Sequence, residues 1–263
     1  MLPSAFIHQL ITAPEYEGEL VHVERIPSSE PVYGSLSHEL APAVAARLRS
    51  AGVDRLYRHQ ALAVDLLLDG KHVVVNSPSA SGKSLCYQVA TLHSLTQDRD
   101  ATALYMFPTK ALAQDQLRSL RSLACPKLIP ASAIETFDGD TLQDARTGIR
   151  KRGRIVLTNP DMLHLGILPN HGLWSRYLHG LRYVVLDEAH VYRGILGSHV
   201  ANIIRRLRRL CLYYGSAPLF VCCSATIANP REHAGRLCGV DFEDVEGAAH
   251  APHEPPRDVE AEP

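Results

Sequence analysis

Residues 73–84 constrain the fold more tightly than any other stretch of this chain. Val73-Val74-Val75 is a β-branched run that ends in Asn76, and Ser77-Pro78-Ser79-Ala80-Ser81-Gly82-Lys83-Ser84 follows at once. A run this short, with this composition, reads as a buried strand. The segment after it matches the phosphate-loop pattern GxxxxGK[ST], with Ser77 in place of the first glycine. Small side chains at Ser79, Ala80, Ser81 and Gly82 let backbone N–H groups approach phosphates, and the helix opening behind them adds positive dipole. Lys83 is expected to reach the β- and γ-phosphates of ATP, and the Ser84 hydroxyl to take Mg²⁺. A small-residue turn with a chance GKS is the bland alternative, and the strand–loop–helix setting counts against it.

Similar apolar runs recur at Ala103–Phe107, Ile134–Phe137, Ile155–Thr158, Tyr183–Leu186 and Leu219–Cys223. Helical stretches such as Ser84–Leu95, Ala111–Leu123 and Gly197–Tyr213 lie between them. Alternation of this kind predicts an α/β fold with a mostly parallel, doubly wound sheet. Ligands of such sheets bind at the carboxyl ends of the strands. Two further helices are expected, one from Pro42 to Gly52 and one over Arg58–Leu68. Residues 1–39 read as an N-terminal extension with one short helix, 40–243 as the main domain, and 244–263, rich in Pro, Ala, Glu and His, as a disordered tail.

Bulk properties exclude several classes. No apolar run approaches the ~20 residues that span a bilayer, and the N-terminus lacks a basic start and a cleavage site, so a cytoplasmic protein without membrane attachment is expected. The six cysteines form no CxxC and suggest neither zinc nor disulfides. A net charge of −1 leaves any basic surface to be local.

Three other motifs carry chemistry. Tyr183-Val184-Val185-Leu186 runs into Asp187-Glu188-Ala189-His190. Asp187 at a strand's end suits Mg²⁺, and Glu188 suits orientation and deprotonation of an attacking water. Gln60 precedes the loop and has the donor and acceptor needed to read an adenine edge. Ser224-Ala225-Thr226 ends a strand with two hydroxyls, which fits either a relay between sites or an ordinary turn.

Taken together, Gln60, Gly82-Lys83-Ser84, Phe107-Pro108-Thr109-Lys110-Ala111-Leu112, Thr158-Asn159-Pro160-Asp161, the DEAH box at 187–190 and the SAT at 224–226 resemble superfamily 2 helicases. Phe137-Asp138-Gly139-Asp140-Thr141 and Tyr192-Arg193-Gly194 look like the bacterial MrfA-type DEAH helicases, which have eukaryotic relatives grouped near the RecQ-like enzymes. The resemblance spans about Val21 to Val245. It implies the first RecA-like domain of a DNA-dependent ATPase that moves 3′-to-5′ on single-stranded or partly duplex DNA in repair. It also implies that Thr109, Lys110, Asp138, Gly139, Thr158 and Asn159 lie along the bound strand, and that His190, Ser224 and Thr226 couple the two sites. Hydroxyls, a lysine and backbone amides are reasonable phosphate partners, although Thr158-Asn159-Pro160 also reads simply as a helix cap.

Helicases of this kind use two RecA-like domains, and the second supplies an arginine finger worth on the order of 10³–10⁵ in rate in related NTPases. No second set of motifs follows the SAT, so the expectation is a truncated, frameshifted or split product that binds nucleotide and turns it over slowly. The rivals are an RNA helicase fragment of the DEAD-box type, a non-hydrolysing remnant, and a subunit that pairs with a separately encoded second half. The basic cluster Arg150-Lys151-Arg152-Gly153-Arg154 is left open, and the arginines at 205, 206, 208 and 209 read as a solvated helix face.

Overall fold

The computed structural model describes residues 3–18, 20–22, 30–78, 81–125 and 128–247. The chain divides into two units, Met1–Pro31 and Val32–Pro263. The first carries helix α1 (Pro3–Ile11). It ends where the Thr12 hydroxyl donates back to His8 O at 2.8 Å, taking up a carbonyl of the last turn.

The division falls at Pro31, so residues 32–39 of the expected extension are grouped with the second unit. The reason is local pairing. Strand β1 (Tyr33–Gly34) runs antiparallel to β2 (Leu56–Tyr57), on either side of helix α2 (Pro42–Ser50) and directly before α3 (Arg58–Leu68). Gly34 lies so close to α3 that a Cβ there would stand 3.0 Å from both Ala61 Cβ and Arg58 Cα. Asp65 on α3 then holds the next residues. Its carboxylate accepts from Ser37 N at 2.8 Å and His38 N at 3.2 Å, with His38 Nδ1 at 3.1 Å.

Burial pushes the Asp65 pKa up, but those hydrogen bonds outweigh it and leave the group below the ordinary carboxylate value. Asp65→Asn turns an NH₂ toward backbone donors and is expected to cost about 1–2 kcal/mol. That corresponds to a Tm lower by roughly 2–8 °C for a domain of this size. With a depressed folded pKa, the wild-type advantage is present above the ordinary carboxylate pKa and fades as pH falls through the folded one. Thermal melts of both chains from pH 7 down into acid should therefore converge, and a constant gap would mean that ionisation of Asp65 is irrelevant.

The main sheet has seven strands: β3 (Val73–Asn76), β4 (Thr102–Met106), β5 (Ile134–Thr136), β6 (Ile155–Thr158), β7 (Leu181–Leu186), β8 (Leu219–Ser224) and β9 (Glu243–Glu246). Their order is β5-β6-β4-β7-β8-β3-β9, with every neighbouring pair parallel. The connecting helices are α4 (Lys83–Gln97), α5 (Lys110–Leu123), α6 (Gln143–Arg152), α7 (Pro160–Met162), α8 (Ser175–His179), α9 (Gly194–Tyr213) and α10 (Pro230–Cys238). π and 3₁₀ turns carry the chain from α7 to Trp174.

Successive strand residues point to opposite faces, and both faces are covered. Val73, Val75, Ala103, Tyr105, Val185 and Val221 pack under α2–α5. Val74, Leu104, Met106, Val184, Leu186 and Phe220 pack under α8–α10. This is why the strands are apolar throughout rather than alternating. The expected α/β, doubly wound parallel architecture is what the chain adopts.

One expectation is corrected. Residues 244–246, read as the start of a tail, belong to β9, paired with β3 from Val73↔Glu243 to Asn76↔Glu246. On this edge strand only Val245 faces inward and is fully buried, so no apolar run marks it. The remainder of that tail, 248–263, lies outside the described residues. All six cysteines are free, and among the described residues no helix is long and apolar enough to cross a membrane.

Candidate functional site

All the motif residues that are described lie along the carboxyl edge of the sheet, apart from Gln60, which reaches that edge from α3. The loop leaves β3 at Asn76. Ser77 N donates to Ser224 O at 3.2 Å, which ties the loop's first residue to the end of β8. Ser77 Oγ donates to Ser81 Oγ at 2.6 Å and closes the loop on itself. The serine in place of glycine is accommodated by a glycine elsewhere, since a Cβ on Gly247 would sit 2.0 Å from Ser77 Oγ. Ser79 and Ala80 lie outside the described residues.

Gly82 caps α4 in the left-handed region, with φ 77° and ψ 26°, a conformation that glycine adopts without the Cβ penalty. Lys83 follows, buried, and its ammonium donates to Ser77 O at 2.8 Å and Pro78 O at 3.0 Å. Two of its three N–H groups are thereby used. Ser84 is half-buried in the first turn of α4.

The Gln60 amide lies against this loop. Its Nε2 donates to Gly82 O at 3.1 Å and its Oε1 accepts from Tyr57 N at 2.9 Å. An amide has two N–H groups and two oxygen lone pairs, so one of each remains for a base edge. His59 Nε2 also lies 3.1 Å from Ser81 O.

Strand β8 separates β3 from β7, so the SAT segment stands between the phosphate loop and the acidic pair. Asp187 at the end of β7 is 7% exposed. Its Oδ2 accepts from Tyr87 OH at 3.1 Å and its Oδ1 from Glu188 N at 3.0 Å. Burial pushes the carboxyl pKa up to about 6, against the pull of the Glu188 N–H. A divalent cation beside it would favour the charged form. Asp187 and the Ser84 hydroxyl are hard oxygen donors, which fits Mg²⁺ held by few protein ligands together with substrate phosphates. Among the described residues no cluster of three or more His, Cys, Asp or Glu is placed to hold a metal alone.

Glu188 has φ 50°, the one positive value at a non-glycine among the described residues. Strain of this kind collects at functional sites. Its Oε2 lies 3.3 Å from His190 Nδ1, and Ala225 N donates to the same nitrogen at 3.3 Å. Nδ1 accepts from Ala225 N when it carries no hydrogen and donates to Glu188 when it carries one, but not both. His190 thus physically joins the DEAH box to the SAT segment. Ser224 Oγ donates to Ala225 O at 2.7 Å, and Thr226 is exposed.

Two residues of this site escaped the sequence reading. Asn76 clamps the SAT segment with both amide ends, to Ile227 O at 3.2 Å and from Ile227 N at 3.1 Å. The available signal was a polar residue closing a β-branched strand. Tyr87, four residues after Lys83, falls on the same helix face one turn on, which is how its hydroxyl reaches Asp187.

The remaining predicted residues cluster on the other half of the edge, after β4, β5 and β6. Thr109 caps α5 by accepting from Leu112 N. Lys110 is exposed and pairs with Asp140 at 2.7 Å, a bond that raises its pKa. Asp138 is buried and shapes a turn, with Oδ1 accepting from Asp140 N at 2.9 Å and Thr141 Oγ1 at 3.1 Å. Gly139 lies beside Lys110, a Cβ there falling 3.8 Å from Nζ. Thr158 Oγ1 donates to Phe137 O at 2.7 Å, and Asn159 Oδ1 accepts from Met162 N at 2.8 Å as a helix cap. The first ties neighbouring loops together. The second leaves the Asn159 NH₂ available.

A parallel sheet with a phosphate loop on one strand, an acidic pair two strands away and a hydroxyl-bearing strand between defines a RecA-like P-loop motor domain. The model of the DEAD/DEAH box helicase family matches residues 57–233, and the chain belongs to that family. It is 50% identical over 196 residues to the uncharacterized ATP-dependent helicase YprA of Bacillus subtilis, covering 74% of this chain and 26% of that protein. It is 42% identical over 240 residues to the ATP-dependent helicase hrq1 of Schizosaccharomyces pombe, covering 89% and 23%. A crystal structure of the DUF1998 helicase MrfA bound to DNA superposes with a TM-score of 0.80 at 45% identity, covering 83% of this chain and 31% of that one. The chain thus spans about a quarter of the length of these curated relatives.

Proposed function

We propose that this chain is the ATP- and DNA-binding motor domain of a DEAH-box DNA helicase. One observation carries the proposal most. The buried carboxylate of Asp187 is joined through the Tyr87 hydroxyl to the helix that starts at the phosphate loop, so the metal-ligand and phosphate-binding candidates form one unit. In this reading the N–H groups of the loop and of the first turn of α4, with Ser79 and Ala80 among them, hold the phosphates of ATP. Lys83 contacts the β- and γ-phosphates, and Gln60 reads the adenine edge. Ser84 and Asp187 would hold Mg²⁺, which supplies charge neutralisation at the phosphates. Glu188 orients the attacking water and takes its proton. His190, Ser224 and Thr226 relay the state of this site to the neighbouring strand edge.

Along that edge Lys110, the Asn159 NH₂ and the backbone at Gly139 contact the sugar–phosphate backbone of single-stranded DNA. Thr109, Asp138 and Thr158 set the shape of the loops that present them. DNA is favoured because the MrfA structure at 45% identity is described as bound to DNA. A second RecA-like domain, in the same polypeptide or separately encoded, completes the site with an arginine finger.

The test is nucleotide binding and hydrolysis by the purified chain, with and without single-stranded DNA, beside Lys83→Ala. Binding of MgATP should weaken at least tenfold in the variant, the loss of one charge-assisted contact of about 1.5–3 kcal/mol. Equal binding by both chains would remove the loop from the ATP site. Hydrolysis indifferent to single-stranded DNA but stimulated by RNA would move the assignment to RNA helicases.

A further inference from the structure

Charge is unevenly distributed over this chain. The whole sequence is near neutral at −1, yet residues 162–218 contain seven arginines and two acidic residues. The two acids are Asp187 and Glu188, already placed in the ATP site. Among the described residues none of the seven arginines forms a salt bridge, whereas Arg118 and Arg121 elsewhere, and Arg236 at the rim of the same face, each pair with a carboxylate. Neighbouring guanidinium groups without a carboxylate partner repel one another, and natural surfaces usually intersperse acids to relieve that.

Four of the seven lie on α9, which leads from the DEAH box down the face of the sheet. Its apolar stripe, including Val200, Ile203, Ile204 and Leu207, is buried against the strands. The ridge facing away carries Ser198, Asn202, Arg205 and Arg209, all exposed and spaced three or four residues apart. Arg205 bonds Asn202 at 3.1 Å. Arg208 is anchored, donating to Gly239 O at 2.8 Å and Cys238 O at 3.2 Å.

Arg205 joins two concavities. One, of about 450 Å³, lies toward the DEAH box and is lined also by Arg193, Ser198 and Asn202. The other, of about 680 Å³, lies at the opposite end of the strands and is lined by Arg205, Arg208, Arg209 and His72. His72 Nδ1 accepts from Phe220 N at 2.9 Å, so its other ring nitrogen carries the proton and is a donor. Asp241 is the carboxylate whose charge reaches His72, and it pairs with none of these arginines.

We infer that the outer face of α9 binds the phosphodiester backbone of duplex nucleic acid, on a surface separate from the strand edge that holds the ATP site. The guanidinium fork matches phosphate geometry and stays charged at any working pH. The ridge is extended rather than a single point. From Ser198 to Arg209 the helix rises about 16 Å, several phosphates' worth of a strand with one per ~3.4 Å. No Phe, Tyr or Trp lies between these two residues, and the exposed Tyr213 one turn past Arg209 is set edge-on to Tyr214 at 5.0 Å, so the ridge has no row of stacking platforms of the kind that favours single strands.

The test is fluorescence anisotropy of a labelled blunt duplex with the whole chain, over a series of salt concentrations. Arg205→Gln/Arg209→Gln removes two phosphate contacts and should make the slope of log K against log salt shallower by about 1.8, at ~0.9 per contact. MgATP binding should be unchanged, which shows that the variant is folded. Lys110→Ala, on the single-strand edge, should leave the duplex slope as it was, so failure of the α9 surface and failure of the proposed strand track give different results. An unchanged slope in the double variant, or no duplex binding by the wild type, overturns the inference. Displacement of the duplex by poly-glutamate at equal charge, with poly-glutamate binding lost in the double variant, would reassign the face to an acidic protein.

Discussion

Gly82→Ala should lower the melting temperature of the chain by several degrees and weaken MgATP binding at least tenfold. Two separate penalties act at this position. Alanine at φ 77° costs about 1–2 kcal/mol in the left-handed region. Its Cβ would also stand 2.5 Å from Gln60 Nε2. Gln60 is a flexible side chain, but here it is buried and bonded at both amide ends, so moving it strands polar groups at roughly 1–3 kcal/mol. The sum, about 2–5 kcal/mol, corresponds to a drop of roughly 4–20 °C for a domain of this size. The two penalties separate in a double-mutant cycle. In a Gln60→Ala background the clash is gone, and Gly82→Ala should then cost only the backbone strain. Melting curves and nucleotide titrations of the four chains measure this. Strict additivity would mean that Gln60 does not hold Gly82 and the loop is positioned by other contacts.

This pair of residues also shows where sequence reasoning reaches and where it stops. The strands β3, β4, β6, β7 and β8 are legible because both sheet faces are covered, and each strand is therefore apolar along nearly its whole length. β9 is illegible for the same physical reason in reverse, since Val245 is its single buried side chain and backbone pairing does the rest. Positions of motif residues follow from the rule that parallel sheets present ligands at strand ends. Their partners do not follow from it. The Gln60–Gly82 bond joins residues 22 apart and Asn76–Ile227 joins residues 151 apart, distances at which no local pattern carries information. Asn159 and Thr158 are used as a cap and a loop tie in the fold, which the sequence could offer only as one of two readings. The arginines of α9 looked like any solvated face, because the absence of paired carboxylates is visible only once the neighbouring elements are in place.

Glu188→Gln should abolish hydrolysis while sparing nucleotide binding. A side chain that takes a proton in the transition state contributes about 10²–10⁴ in rate, and glutamine keeps the size of the group but cannot accept that proton. Binding should stay within a few-fold, because the metal-ligand candidate is Asp187 and the phosphate contacts belong to the loop. The fold should also tolerate the change. The φ of 50° at Glu188 is one that glutamine, of the same size and branching, meets at the same cost. The new amide can donate to His190 Nδ1, where the carboxylate oxygen lies at 3.3 Å, in exchange with Ala225 N–H for the same lone pair. The measurement is single-turnover hydrolysis with the chain in excess over labelled ATP, in the presence of single-stranded DNA, alongside equilibrium ATP binding. Hydrolysis unchanged in the variant would show that another group activates the water. Loss of ATP binding would show instead that Glu188 holds the nucleotide or its metal. Only lost turnover with retained affinity fits a base that acts after ATP is in place, since an interaction made solely in the transition state changes the rate and not the ground-state affinity.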